Sequence, residues 1–207
     1  MLASVILAAG ESRRMGSPKA TLPMFTTEAT PGKVTFLEHL VTLARHPKVG
    51  ILRVILGANS EKILRRVALK PEWVVSNPDW EQGQLSSIQT AIRSLPAGET
   101  DGIILFLVDH PLITQGVVDQ LISTFYSSKA PVVIPTFRGK RGHPVIFSSS
   151  LYDELLAAPA GTGARAVVWA HKPDLLEVET NEEGVVFNLN DPDSLHKVMG
   201  GARANNA

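Results

Sequence analysis

Leu2-Ala3-Ser4-Val5-Ile6-Leu7 runs directly into Ala8-Ala9-Gly10-Glu11-Ser12-Arg13-Arg14-Met15-Gly16-Ser17-Pro18-Lys19. The first stretch is almost wholly apolar and too short for a helix, so it reads as a strand buried on both faces. A secretory signal is excluded, because no basic segment precedes the apolar run and Arg13-Arg14 follow it. The second stretch places small residues, then cations, just beyond the strand's carboxyl end. In an open α/β sheet that is where ligands bind, close to the point where strand order reverses.

Working outward, short apolar strands alternate with amphipathic helices. Strands are expected at residues 2–7, 51–56, 73–76, 102–108, 131–134, 144–147, 175–179 and 185–187. Helices are expected from Phe36, Leu37, Leu40, Val41, Leu43 and Ala44 with Thr35 as N-cap, and over residues 60–69, 86–95, 114–126, 152–158 and 164–170. Asp191 and Pro192 have the cap and first-turn chemistry of one more helix. The run GIILFLV, residues 102–108, is the most apolar and is expected at the sheet centre. The fold class is α/β, a doubly wound, mostly parallel, Rossmann-like sheet with right-handed crossovers. One domain over residues 1–199 is expected, with a loose small-residue tail over 200–207.

Twenty Lys plus Arg balance twenty Asp plus Glu over 207 residues, for a formal net charge of zero. That excludes a nucleic-acid binder working through a broad basic face, so affinity for phosphate must come from a local site. No cysteine is present, which excludes disulfides, iron–sulfur clusters and cysteine zinc sites and suits a reducing cytoplasm. No apolar run approaches the ~20 residues of a membrane span.

Four post-strand segments carry the chemistry. Leu7, Ala8, Ala9 and Gly10 let a ligand approach the backbone amides, and Arg13 and Lys19 supply charge for a polyphosphate. A basic turn with a solvated Arg-Arg pair fits those residues equally well. Neither Gly-x-Gly-x-x-Gly nor a Walker loop is present. Next come Asn77-Pro78, Gly83, Ser86 and Ser87, a turn leading into a helix start that can face an anion or a base. Ordinary capping is the simpler reading there, and Trp80 reads as packing. Asp109 follows the central strand directly, which favours a Mg²⁺ ligand over a cap; His110 is expected to point the other way. Arg138-Gly139-Lys140-Arg141-Gly142-His143-Pro144 is a basic, glycine-rich loop before a strand. His39 and His46 read as surface, and Trp73 and Trp169 as core. Gly-x-Ser-x-Gly and His-x-x-x-His are absent.

LAAGESRRMGSPK, residues 7–19, resembles the signature loop of the MobA-like NTP transferases, nucleotidyltransferases similar to the molybdenum cofactor enzymes. The likeness extends from Leu2 to about Val198 with its motifs in order. It implies the nucleotide-diphospho-sugar transferase fold and a Mg²⁺-dependent transfer of a nucleoside monophosphate from an NTP to a phosphorylated acceptor. Leu7, Ala8, Ala9, Gly10, Arg13 and Lys19 would surround the triphosphate, and Asn77, Gly83, Ser86 and Ser87 the base. Arg13, Lys19 and Asp109 would carry catalysis, Asp109 and Asn190 would hold the metal, and Arg141 and His143 would face the acceptor. The LAAG form and Gly142-His143-Pro144 imply CTP as donor and a molybdopterin phosphate as acceptor, with a molybdoenzyme or chaperone as partner. A sugar-phosphate, methylerythritol-phosphate or phosphonate enzyme, or a binding module without catalysis, are the alternatives. The chain departs from the pattern at Val108, where the family has glycine, at Gly161 or Thr162, where it often has an acid, and at Asn188 and Asn190, where it commonly has aspartates.

Overall fold

The computed structural model describes residues 1–24, 34–159 and 163–190. Its strands are β1 (Leu2–Ala8), β2 (Val49–Leu56), β3 (Val74–Ser76), β4 (Gly102–Leu107), β5 (Val132–Phe137), β6 (Lys140–Arg141), β7 (Val145–Ser148) and β8 (Leu176–Glu179). Its helices are α1 (Phe36–Ala44), α2 (Ser60–Arg66), α3 (Gln84–Arg93), α4 (Gln115–Ser128), α5 (Tyr152–Ala157) and α6 (Gly163–Ala170). The strands form one sheet in the order β3-β2-β1-β4-β7-β5-β6, with β8 paired to β5. Pairings β1/β2, β1/β4, β2/β3 and β5/β8 are parallel. Pairings β4/β7, β5/β7 and β5/β6 are antiparallel.

The sheet is buried on both faces because its central strands are apolar at nearly every position, Ser4 of β1 being the polar one. All seven residues of β1 are buried. Successive side chains of a strand point to opposite faces, and two apolar layers result. Leu2 and Ile6 of β1 join Ile104 and Phe106 of β4 under α1 and α4. Ala3, Val5 and Leu7 join Ile103 and Leu105 on the other face, under α3, α5 and α6. The buried Ser4 hydroxyl donates to the Ala44 carbonyl at 2.9 Å, satisfying an orphan group at the end of α1.

α1 starts as expected. Thr35 Oγ1 accepts from the Glu38 amide at 3.2 Å, and the Glu38 carboxylate accepts from the Thr35 amide at 2.7 Å, a complete capping box. Thr114 caps α4 as expected. Other expectations need correction. α2 stops at Arg66, and Pro71–Trp73 form a 3-10 turn ahead of a shorter β3. α3 begins at Gln84, directly after Gly83 at φ 95°. Residues 185–187 form no strand, because Glu183–Val185 is a 3-10 turn whose Val185 carbonyl accepts from the His143 amide at 2.8 Å. His39 and His46 are half-buried rather than on the surface, facing Ile113 and Asp119. Trp169 is 56% exposed and does not enter the core, and Trp73 is half-buried at the sheet's edge. Gly161, Thr162, Asp191, Pro192 and the tail over 200–207 lie outside the described residues.

Candidate active site

β1 lies between β2 on one side and β4 on the other, so strand order reverses there. A cavity of about 430 Å³ opens at the carboxyl ends of β1 and β4. Leu7, Ala8, Ala9 and Gly10 form its floor together with Leu107, Val108 and Asp109. Ser12, Pro18 and Lys19 form one wall, Trp80, Gly83, Gln84 and Ser87 another, and Asn188 reaches it from the chain after β8.

The loop after β1 is curled back on itself. Ser12 (φ 57°) and Gly16 (φ 66°) flank a 3-10 turn over Arg13–Met15, both in the left-handed region. The Lys19 amide donates to Ser12 Oγ at 3.1 Å and closes the curl. Gly57 braces it from below. The Ala58 amide donates to the Ala9 carbonyl at 3.1 Å, and a Cβ on Gly57 would meet that oxygen at 2.6 Å.

The curl delivers Lys19 to the end of β4. Its ammonium donates to Asp109 Oδ2 at 3.3 Å and to Asn190 Oδ1. Asn190 is brought there because the Leu189 amide donates to the Asp109 carbonyl at 2.8 Å. The other carboxylate oxygen, Oδ1, pairs with His110 Nδ1 at 3.0 Å. Burial pushes the Asp109 carboxyl up. The His110 hydrogen bond and the Lys19 and His110 charges outweigh it and hold the group down at about 2. Asp109 is therefore a carboxylate at neutral pH. A cation already stands between Asp109 and Asn190, in the form of the lysine ammonium. Two oxygens, one anionic and one neutral, suit a hard divalent cation whose remaining ligands are phosphate oxygens and water. Among the described residues no group of three His, Cys, Asp or Glu side chains is arranged to hold a metal.

The residues expected around the base divide into two layers. Gly83 and Ser87 line the cavity, while Asn77 is buried behind it. Asn77 Nδ2 donates to Ser86 Oγ at 2.9 Å and Ser87 Oγ at 3.0 Å, and Asn77 Oδ1 accepts from the Asp79 amide at 3.0 Å. Asn77 thus clamps the turn to the start of α3. Ser86 Oγ is directed to the Asp79 and Gly83 carbonyls.

Three cationic or imidazole side chains expected at the site stand outside the cavity. Arg13 is 81% exposed in its side chain and pairs with Glu11 at 2.6 Å. Arg141 pairs across the sheet with Glu177 at 2.7 Å. His143 is buried with its ring centroid 4.9 Å from that of His110. Its Nδ1 has no hydrogen-bond partner among the described residues. Burial pushes the His143 imidazole down, helped by the neighbouring His110 charge and only partly offset by Asp109 and the Leu105 backbone, to about 4.

Four site features go beyond the sequence reading. His110 turns toward Asp109 rather than away, because the turn after β4, closed by the His110 amide on the Leu107 carbonyl at 3.0 Å, swings it back. Trp80 both packs on the apolar layer and faces the cavity. Gln84 lines it from the first turn of α3. Asn188 also lines it, with a buried Oδ1 that has no hydrogen-bond partner among the described residues; the sequence marked it only as a departure from the family's aspartate, two residues before Asn190.

A family model described as the MobA-like NTP transferase domain matches residues 4–175. The nicotine blue oxidoreductase of Paenarthrobacter nicotinovorans is 26% identical, with 94% of this chain and 95% of that protein covered. The molybdenum cofactor cytidylyltransferase of Escherichia coli (strain K12) is 26% identical, over 91% of both. A Mycobacterium tuberculosis H37Rv protein solved in complex with manganese superposes with a TM-score of 0.77 at 22% identity, over 96% of this chain and 98% of that one. The mostly parallel mixed sheet with flanking helices is that of the nucleotide-diphospho-sugar transferases, among which a nucleotidyl transferase of Methanothermobacter superposes with a TM-score of 0.79 at 18% identity, over 99% of both chains.

Proposed function

The chain belongs to the MobA-like NTP transferase domain family, and we propose that it transfers a cytidine monophosphate from CTP to the phosphate of a molybdopterin-type acceptor. An acceptor phosphate oxygen attacks the α-phosphorus in line. The new oxygen–phosphorus bond forms as the bond to the β-phosphate bridge breaks, and pyrophosphate leaves with both electrons of that bond. No covalent nucleophile on the protein is needed, so positioning and charge neutralisation are the main sources of rate.

Asp109 and Asn190 would hold Mg²⁺, which supplies charge neutralisation across the phosphates when bound. The tuberculosis relative with manganese supports a divalent cation in this fold. The amides of Ala8, Ala9 and Gly10 receive phosphate oxygens, and Lys19 exchanges its carboxylate partner for the triphosphate. Arg13 reaches the departing pyrophosphate once it releases Glu11. Gly83, Gln84 and Ser87 border the base, with Asn77 and Ser86 holding that wall in place. Arg141 and His143 would belong to the acceptor side only if Arg141 parts from Glu177.

One observation carries the reading: a lysine, an aspartate and an asparagine from three distant segments converge at the switch-point cavity. Among the described residues no helix is long and apolar enough to cross a membrane. A cytoplasmic location and a molybdoenzyme or chaperone partner belong to the same proposal. Thermal stabilisation by each of the four nucleoside triphosphates, with and without Mg²⁺, tests it. The account requires the largest shift from CTP with Mg²⁺. Equal shifts from all four, or none, count against it. A sugar-phosphate, methylerythritol-phosphate or phosphonate acceptor would show as turnover with CTP but not with molybdopterin. Binding without turnover would identify a module that has lost catalysis.

A further inference from the structure

We propose that His110 is a positioning residue, which fixes the Asp109 carboxylate so that Oδ2 alone faces the incoming cation. The inference rests on the reading of Asp109 as a metal ligand. A carboxylate turns freely about its last torsion, whose preferences are broad. Here two contacts on the carboxylate stop it, and a third fixes the backbone that carries it. His110 Nδ1 lies 3.0 Å from Oδ1, Lys19 Nζ lies 3.3 Å from Oδ2, and the Asp109 carbonyl accepts from the Leu189 amide at 2.8 Å. The lysine must leave when phosphate arrives, so only the histidine persists as a side-chain partner through binding.

His110 is itself held. It is 7% exposed, its amide is bonded to the Leu107 carbonyl, and its ring is tilted against His143 at 57°. A ring nitrogen facing an anionic oxygen acts as donor, so the geometry places a proton on His110 Nδ1. With Oδ1 engaged, Asp109 offers one oxygen rather than two. Mg²⁺ demands near-octahedral geometry and tolerates a misdirected ligand poorly, so the orientation matters to the metal. Partners of this kind behind a metal ligand typically affect metal affinity or activity by about 10- to 100-fold.

The test uses the full chain and Mn²⁺ as the probe, titrated by electron paramagnetic resonance with CTP present, beside steady-state kinetics. His110→Phe keeps ring volume and removes the donor; His110→Asn restores an N–H near the Nδ1 position. His110→Phe is expected to weaken Mn²⁺ binding about 10- to 100-fold and to lower kcat, with KM for CTP at saturating metal little changed. His110→Asn is expected to recover most of the loss. Wild-type Mn²⁺ affinity in His110→Phe, or equal damage in both variants, overturns the proposal. Should His110→Phe fail to fold, nitrogen NMR of the wild-type imidazole decides instead: a proton on Nδ1 supports the proposal and a proton on Nε2 alone overturns it. Asp109→Ala separates the two levels. If that variant keeps Mn²⁺ affinity, the reading of Asp109 fails; if it loses affinity and His110→Phe does not, only the role of His110 fails.

Discussion

Replacing Lys19 by methionine should move metal and nucleotide affinity in opposite directions. Lys19 Nζ stands 3.3 Å from Asp109 Oδ2 and also touches Asn190 Oδ1, with only 12% of its side chain exposed. At an effective dielectric of ~20 the Coulomb attraction over that distance is about 5 kcal/mol, before the desolvation of both partners is deducted. The net value of a hydrogen bond to a charged group is about 1.5–3 kcal/mol. In the free protein that energy is spent on the aspartate, so a metal arriving alone must displace an ammonium. On the proposed function, the phosphates of bound CTP would take the ammonium and release the carboxylate to the metal. Lys19→Met removes the competitor and the phosphate contact together. Calorimetric titration should find Mn²⁺ alone binding more tightly than to wild type. CTP without metal should bind more weakly by roughly 10- to 150-fold, the range that 1.5–3 kcal/mol spans. If both affinities fall, or neither changes, Lys19 is not shared between carboxylate and phosphate.

Asn190→Asp adds an anionic ligand and should tighten Mn²⁺ binding without nucleotide, whereas Asn190→Ala should raise the Mg²⁺ concentration needed for turnover at unchanged melting temperature; identical metal dependence in all three proteins would place Asn190 outside the coordination sphere. Gly57→Ala sets a Cβ 2.6 Å from the Ala9 carbonyl oxygen and 2.8 Å from Trp80 Cβ. It should cost about 1–3 kcal/mol of stability and weaken CTP binding by shifting the phosphate loop; a melting temperature and CTP affinity equal to wild type would refute the close contact. His143 is held neutral to about 4, so below its ordinary value of 6.5 the unfolded chain gains a proton that the folded chain refuses. Its contribution is complete above pH 6.5 and is lost as the pH falls to about 4, a loss of about 3 kcal/mol. Urea unfolding across that window should show wild type losing this increment, and His143→Gln should flatten the curve; the same slope in both would mean that His143 titrates normally.

β1, α1 and β4 were legible because their signals are local. An unbroken apolar run, a Thr35–Glu38 capping pair and helical apolar spacing each need no distant partner. The antiparallel arm of β7, β5 and β6, and the return of β8 to β5, depend on pairings between segments far apart in sequence. Nothing in the residues 131–147 alone sets that order. The place of Asp109 at the cavity was legible from its position after the central strand, but the direction of His110 was not, because a turn sets it. Arg13 was read for its charge and for its place in the signature loop, and Arg141 for its place in the loop that resembles the family's acceptor side. Glu11 stands two residues from Arg13 and was visible in the sequence, whereas Glu177 meets Arg141 only through the sheet. Trp169 was assigned to the core by residue type. Val167 points inward on α6, and two residues further along a helix lies about 200° around its axis, on the solvent side.

Pyrophosphate release from CTP, with Mg²⁺ and molybdopterin, compared between wild type and Asp109→Ala, tests the central claim most directly. The oxidoreductase activity named for the Paenarthrobacter relative can be assayed beside it, by following turnover of nicotine blue. The account predicts one pyrophosphate per cytidylylated acceptor in wild type, no turnover in a folded Asp109→Ala variant, and no turnover of nicotine blue. Near-normal release from Asp109→Ala at saturating Mg²⁺, or turnover of nicotine blue by wild type without pyrophosphate release, would contradict it.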